Sequence, residues 1–365
     1  MKIVYFIDHL RPDGAQFVLK RLVANMHRRG HTQLVICLND SWDETFRQEL
    51  IQAGAQVHIV GKLALLLGYG WWSTYRLLRR QQCDVVVTIL FVADVLGRLL
   101  AHAARVPRIV TSLQTHDVNY AWWQRRCVRF TMPWANRVVL CSNTFRDFAM
   151  QGEGATSAQL ITIPNSIELA DYAWPIDRVA LRAELGVQPD EVLVGSVGRL
   201  VPQKGFDILL RAFALIARPN VRLYIAGVGS SAEELRNLML ELNLQDRVCF
   251  AGYRRDVPRL MQCFDVYAHA SRFEGLPIVV LEAMASGCPV VATAVDGTCE
   301  LIEDGVQGWL VPPEQPGLLA EAIQAALDDA AEARRRAGLA RQHVAQQFSE
   351  EATMRLWENT LAGER

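Results

Sequence analysis

The sequence predicts an α/β protein of two doubly wound parallel-sheet domains, and three observations lead to that expectation. Short β-branched runs alternate with amphipathic stretches along the chain, as strand–helix units do. The runs are continuously apolar rather than alternating, as strands covered on both faces are. The pattern also lapses between residues 167 and 190 and then begins again. A length of 365 residues is long for one domain and ordinary for two.

In the first half the predicted strands are 2–8, 33–38, 56–60, 84–90, 108–113, 137–142 and 160–166. A helix predicted over 15–29 ends at Gly30, a natural C-cap. The second set of strands is 191–198, 221–227, 248–253, 265–271, 289–293 and 308–312, with helices near 206–217, 231–242, 277–286 and 316–328. The stretch between the sets carries Pro175 and Pro189. The expected division is a first domain over 1–168, a linker over 169–190 and a second domain over 191–344. Two such domains joined once imply a cleft, and open α/β sheets bind ligands beyond the carboxyl ends of their strands.

Composition narrows the class. Half of the residues are apolar, which supports a large buried core. No run approaches the roughly 18–20 apolar residues of a membrane span, and the start of the chain lacks a secretory apolar region. The eight cysteines form no C-x-x-C pair and no Cys/His cluster, which reads as reduced thiols in a cytoplasmic protein rather than disulfides or a zinc site. The net charge of −1 conceals an asymmetry: residues 1–168 carry 19 Lys and Arg against 12 Asp and Glu, a net of +7, and the remainder is −8. A basic first half suits phosphates or an anionic membrane surface.

The most informative stretch is SRFEGLPIVVLEAMASGCPVVAT, residues 271–293. A strand ends near Ser271, a loop carries Glu274 and Gly275, and Pro277 stands where a first helical residue is expected. Glu282 is the only charge between Gly275 and Val290, and a carboxylate in an apolar helix is costly unless something satisfies it. The loop and helix start around Gly275 and Pro277 also offer the backbone N–H groups of Leu276, Ile278 and Val279 to phosphate or sugar oxygens. Lys204 precedes the helix predicted from Phe206, where the helix dipole disfavours a cation. An anion held between Arg199, Lys204 and that helix start would reverse the sign, and a diphosphate fits.

Glu274 and Glu282, set within E-G-L-P-x-x-x-L-E-A-M-A-S-G-x-P-V-V-A-T, resemble the signature of the retaining glycosyltransferase family 4 of GT-B fold. VGRLVPQKGFDILLRAF (197–213) and IPNSIEL (163–169) are similar to further family segments. FSEEATMRLWENTL (348–361) is similar to the terminal helix that returns to the first domain, so 345–365 is expected to complete it. The resemblance implies two Rossmann-like domains facing across a cleft. It also implies transfer of a sugar from a nucleoside diphosphate to an acceptor hydroxyl with retention. In this reading Glu274 contacts the transferred sugar, Glu282 the ribose, and Arg199 and Lys204 the diphosphate. His116 falls where members place an acceptor- or sugar-contacting histidine, while a lone His after a strand is equally a structural residue.

Other positions are less specific. In DHLRPDGAQ (8–16) Gly14 permits close approach of a ligand, but Asp13, Ala15 and Gln16 depart from the family's two glycines and glutamate. GVGSSA (227–232) superficially matches a dinucleotide turn, a weak signal when alone. Base recognition is expected near Gly252 and Arg254, largely through backbone. No D-x-D triplet occurs, so no metal cofactor is expected and cationic side chains take its place. Residues 62–80 and 122–134 interleave aromatics with arginine, which fits helices lying in a bilayer interface or helices whose aromatics pack inward. The expected partners are a nucleotide-sugar donor, UDP-linked before GDP-mannose, and a glycan or lipid-linked acceptor in bacterial envelope glycan or glycolipid synthesis. Weak anionic-membrane contact at the inner face of the plasma membrane is expected, and no nucleic acid. The rival classes are a nicotinamide oxidoreductase, whose fingerprint the first strand–helix turn lacks, and a catalytically silent scaffold of the same fold.

Overall fold

The computed structural model describes residues 1–11, 13–114 and 120–364. The chain divides into two compact units: Met1–Asn165 together with the closing segment from Glu351, and Ser166–Glu350.

The first unit holds a seven-stranded parallel sheet, its strands being β1 (Lys2–Ile7), β2 (Thr32–Cys37), β3 (Ala55–Ile59), β4 (Val85–Ile89), β5 (Arg108–Leu113), β6 (Arg137–Leu140) and β7 (Leu160–Thr162). Their order is β3-β2-β1-β4-β5-β6-β7. Successive residues of β1 and β4 feed opposite faces, and both faces are covered. Tyr5, Ile7, Val85 and Val87 pack with the helices Gly14–Arg28, Glu44–Gln52 and Glu350–Ala362. Val4, Phe6 and Val86 pack with Tyr69–Gln81 and Phe91–Ala103. Burial on both sides explains why these strands read as unbroken apolar runs. The helix Gly14–Arg28 starts at Asp13, whose side chain accepts from the Gly14 N–H, and Gly30 just beyond its end has φ +80.

The second unit repeats the arrangement with six strands: β8 (Val192–Val197), β9 (Val221–Ala226), β10 (Val248–Phe250), β11 (Val266–His269), β12 (Val290–Thr293) and β13 (Trp309–Val311). Their order is β10-β9-β8-β11-β12-β13, again all parallel. Each predicted strand is present, and most end one to three residues short of the apolar run that announced them.

Residues 169–190, expected as a linker, belong instead to the second unit. They carry a 3-10 turn (Leu169–Tyr172) and a helix (Arg178–Glu184) whose Leu181 is buried. Arg178 and Arg182 pair with Asp265 at 2.5 and 3.0 Å, and Asp265 also accepts from the Leu193 N–H at 2.7 Å. The prolines interrupt the segment without freeing it, because its helix is anchored to the start of β11. Just inside the unit's two boundaries, Ile167 and Ser349 form a bridge, with Ile167 N–H donating to Phe348 O at 3.1 Å.

The aromatic–arginine segments form the helices Lys62–Leu66, Tyr69–Gln81 and Trp122–Thr131 of the first unit. Much of their apolar surface faces outward: Leu66 is 83% exposed, Trp122 72% and Phe130 70%, and Leu63, Leu67, Trp72 and Trp123 are also exposed. Trp134 differs, stacking on His102 with ring centroids 4.6 Å apart. Among the described residues no helix is long and apolar enough to cross a membrane.

Candidate functional site

Strand order reverses in the second sheet between β8 and β11, which are hydrogen-bonded neighbours. Chains leaving that point depart to opposite faces and open a crevice beyond the carboxyl ends of the strands. The loops following these two strands carry Arg199, Lys204, Glu274 and the start of the Glu282 helix, so the topology gathers most of the residues that the sequence singles out.

Lys204 ends a 3-10 turn, Pro202–Lys204, and Gly205 follows with φ +61. A Cβ on Gly205 would lie 2.0 Å from the Ala270 carbonyl oxygen, so glycine lets the two loops touch. Arg272 then ties them together. Its backbone N–H donates to Gln203 O at 2.8 Å, and its guanidinium donates to Pro202 O at 2.5 Å and to both oxygens of Asp207 at 2.8 Å.

Lys204 Nζ donates to Glu274 Oε1 at 2.6 Å, joined on the same oxygen by Ser271 Oγ at 2.6 Å and His269 Nε2 at 2.9 Å. Burial alone would raise the Glu274 pKa, but the charge and hydrogen bonds of Lys204 and His269 outweigh it and hold the carboxyl well below the usual range. Glu274 is thus an anion, and its saturated Oε1 leaves Oε2 to receive a ligand's hydroxyl. The negative charge expected beside Lys204 is supplied, in this structure, by the protein's own Glu274.

Glu282 lies on the helix Ile278–Ala285, and its Oε1 accepts from the Tyr172 hydroxyl at 2.8 Å. A partner for this half-buried carboxylate therefore comes from the 3-10 turn at Leu169–Tyr172, within the stretch expected as a linker. Pro277 is the N-cap of this helix rather than its first helical residue, with φ −72 and ψ 109. Gly275, Leu276 and Ile278 border that helix start, whose first N–H groups lack intrahelical acceptors. Arg199 is exposed at the crevice.

Elsewhere the expectations fare differently. Arg254 is engaged in a two-pronged bond to Asp256 at 2.8 and 2.6 Å, and the Gly252 carbonyl accepts from Gly227 N–H at 2.7 Å. The glycines of 227–229 serve backbone crossing. A Cβ on Gly227 would stand 1.8 Å from Gly198 O, and one on Gly229 2.2 Å from Leu200 O. Gly14 opens its helix in the first unit, and a Cβ there would meet nothing within 4 Å. Gln16 is buried and donates to His9 O at 3.1 Å, bracing the loop after β1. His116 lies outside the described residues. Sequence reasoning misses Tyr172, His269 and Arg272. A histidine inside the apolar run VYAHAS, five residues before Glu274, is the one available signal.

Residues 12–171 match Glycosyltransferase Family 4, and residues 177–343 match the family of glycosyl transferases group 1. Anabaena HepE, solved in complex with UDP and glucose, superposes with a TM-score of 0.90 at 27% identity over 100% of both chains. The Escherichia coli UDP-Gal:alpha-D-GlcNAc-diphosphoundecaprenol alpha-1,3-galactosyltransferase is 26% identical over 66% of this chain and 65% of its own length. The D-inositol 3-phosphate glycosyltransferase of Mycolicibacterium vanbaalenii is 37% identical over 45% of this chain and 39% of that protein. The chain thus spans from about two thirds to well under half of these curated relatives. Two parallel sheets of the same reversed order define the GT-B fold. The chain belongs to glycosyltransferase family 4.

Proposed function

We propose that the chain moves a hexose from a UDP-sugar to an acceptor hydroxyl with retention of anomeric configuration and without a metal ion, GDP-mannose being the next donor to consider. The carrying observation is the contact of Lys204 with Glu274 at the switch point, 2.6 Å apart, beside the helix that bears Glu282. Arg199 and Lys204 take the diphosphate and stabilise it as it leaves, the role a divalent ion would otherwise fill. Glu282, oriented by Tyr172, takes the ribose hydroxyls, and Glu274 Oε2 takes hydroxyls of the transferred sugar. The anomeric C–O bond to the β-phosphate breaks as the acceptor oxygen bonds to the same face of that carbon. The acceptor proton passes to the departing phosphate oxygen, leaving UDP and a glycoside, so no protein nucleophile is needed. Gly14 is assigned to the donor side, His116 to the acceptor or the sugar, and Gly252 and Arg254 to the base. UDP in HepE and a UDP-sugar in the E. coli relative's name support the donor class.

The acceptor is proposed to be a lipid-linked or envelope glycan, reached by a cytoplasmic protein resting on the anionic inner face of the plasma membrane. Exposed Leu66, Trp72, Trp122 and Phe130 with exposed Arg79, Arg80, Arg125 and Arg126 support this. Each such arginine adds about 1 kcal/mol at most, within a Debye length.

A panel of UDP- and GDP-sugars read by thermal stabilisation, followed by proton NMR of the first-formed anomer, tests the reaction. A UDP-hexose should stabilise most and give the retained anomer, and EDTA should leave turnover intact. An inverted product or strict dependence on a divalent ion would overturn the mechanism. Replacing the four arginines with Glu should abolish low-salt binding to anionic vesicles and spare UDP-sugar hydrolysis. Wild-type indifference to those vesicles would remove the membrane.

A further inference from the structure

Tyr267 and His269 occupy same-face positions of β11, two residues apart and both buried. His269 Nε2 lies 2.9 Å from Glu274 Oε1, and its Nδ1 lies 3.4 Å from the Tyr267 hydroxyl, itself 3.3 Å from the Val197 carbonyl oxygen. An ionised carboxylate only accepts, so Nε2 must carry the hydrogen. In a neutral imidazole Nδ1 is then an acceptor, and the Tyr267 hydroxyl, whose one hydrogen also reaches the Val197 carbonyl, can turn it to Nδ1. Burial drives the Tyr267 phenol well above its ordinary pKa, so that hydrogen stays in place.

We infer that Tyr267 and His269 are a positioning pair for the glutamate that meets the sugar. The Tyr267 hydroxyl donates to Nδ1, fixes the proton on Nε2, and thereby holds Glu274 Oε1 so that Oε2 faces the ligand. The inference rests on the proposed contact between Glu274 and the transferred sugar. Lys204 shares Oε1 but is also assigned to the diphosphate. When Lys204 turns to that ligand, His269 and Ser271 are the donors that keep the carboxylate in place. The polar groups around the imidazole are Tyr267 on its own strand, Glu274, Ser271 and Lys204 from the two loops, and Thr293 of β12, whose hydroxyl contacts His269 O at 3.5 Å. Glu282 and Cys288 act on Tyr267 from further away. A protonated imidazole presents the same Nε2–H, with Tyr267 turning its hydrogen to Val197. The pair therefore serves at either charge of the ring.

The test compares His269→Leu, His269→Gln, Tyr267→Phe and Glu274→Ala. It uses UDP affinity by calorimetry and steady-state UDP release from whichever UDP-hexose the wild type hydrolyses fastest. His269→Leu should lower kcat by about tenfold to hundredfold, the loss of one charge-assisted bond, with UDP affinity unchanged. His269→Gln, whose amide can donate from the Nε2 position, should recover most of it. In the Glu274→Ala background His269→Leu should cost nothing further. Tyr267→Phe frees the neutral ring to take the other tautomer. Its turnover should fall, by less than that of His269→Leu, with UDP affinity unchanged. Unchanged kcat in His269→Leu, or equal losses of UDP affinity and turnover, would overturn the inference. If Glu274→Ala itself keeps full turnover, the sugar contact is wrong and the inference falls with it. If Glu274→Ala is inactive and His269→Leu is not, the inference alone falls.

Discussion

Replacing Lys204 with methionine keeps the reach of the side chain and removes its charge, which isolates what the ion pair does. The Lys204 side chain is 16% exposed and that of Glu274 6%, with 2.6 Å between Nζ and Oε1. At an effective dielectric near 20, two unit charges at that distance attract by about 6 kcal/mol. Desolvation has already consumed much of that gain, and His269 and Ser271 still hold the oxygen, so the expected loss is about 3 kcal/mol. Urea unfolding at pH 7 measures it. Glu274→Gln should cost less, because Lys204 retains some access to water and the amide keeps its shape. The double variant should be less destabilised than the sum of the singles, giving a coupling of about 1–3 kcal/mol. A Lys204→Met cost below about 1 kcal/mol, with additive singles, would mean that Glu274 does not depend on this lysine. Calorimetry on the same proteins separates stability from function. Lys204→Met should weaken UDP binding, whereas Glu274→Gln should leave it nearly intact.

Glu282→Ala should weaken UDP itself, and Tyr172→Phe should do so by a smaller factor, about 1–2 kcal/mol for the lost hydrogen bond to a carboxylate; equal UDP affinity in all three proteins would remove Glu282 from the nucleotide. In the first unit, burial raises the carboxyl pKa of Glu153 to about 8 and that of Asp94 to about 7, around the buried Arg98. The native state thus holds protons that the unfolded chain releases above its ordinary carboxyl pKa, so stability is full in mild acid and falls as pH rises towards 8. For Glu153 the loss is on the order of 4 kcal/mol, and Glu153→Gln should be more stable than wild type at pH 8 by denaturant unfolding; a flat wild-type profile from pH 5 to about 8 would refute the burial effect.

The strands are legible because each lies between two helical layers, which forces an uninterrupted apolar run whatever the neighbouring sequence. Arg178–Glu184 is not, because its helix is short, bracketed by prolines, and tied to Asp265, far along the chain. The same distance in sequence hides the supports of the site. Glu274, Glu282 and Lys204 stand out by charge against an apolar background and by motif, whereas Tyr172 is an ordinary tyrosine until its hydroxyl is found 2.8 Å from Glu282. Arg272 likewise reads as one more loop cation, and only the fold brings Asp207 and Pro202 O to it. Arg254 shows a local pairing that the sequence does not single out, its guanidinium bonded to Asp256 two residues on.

The closing segment also sets an order of events in synthesis. Met354, Trp357 and Leu361 fill the face of the first sheet beside Tyr5, Val35 and Val110, and Arg108 donates to the Leu361 carbonyl at 2.9 Å. All of Ser166–Glu350 must leave the ribosome between the last strand of that sheet and these residues. At roughly 5–20 residues per second the interval is on the order of ten to forty seconds. For that time a nascent first unit exposes a bare apolar strip. Chaperone engagement of the growing chain should accordingly end only when the final helix emerges, long after its own sheet was made.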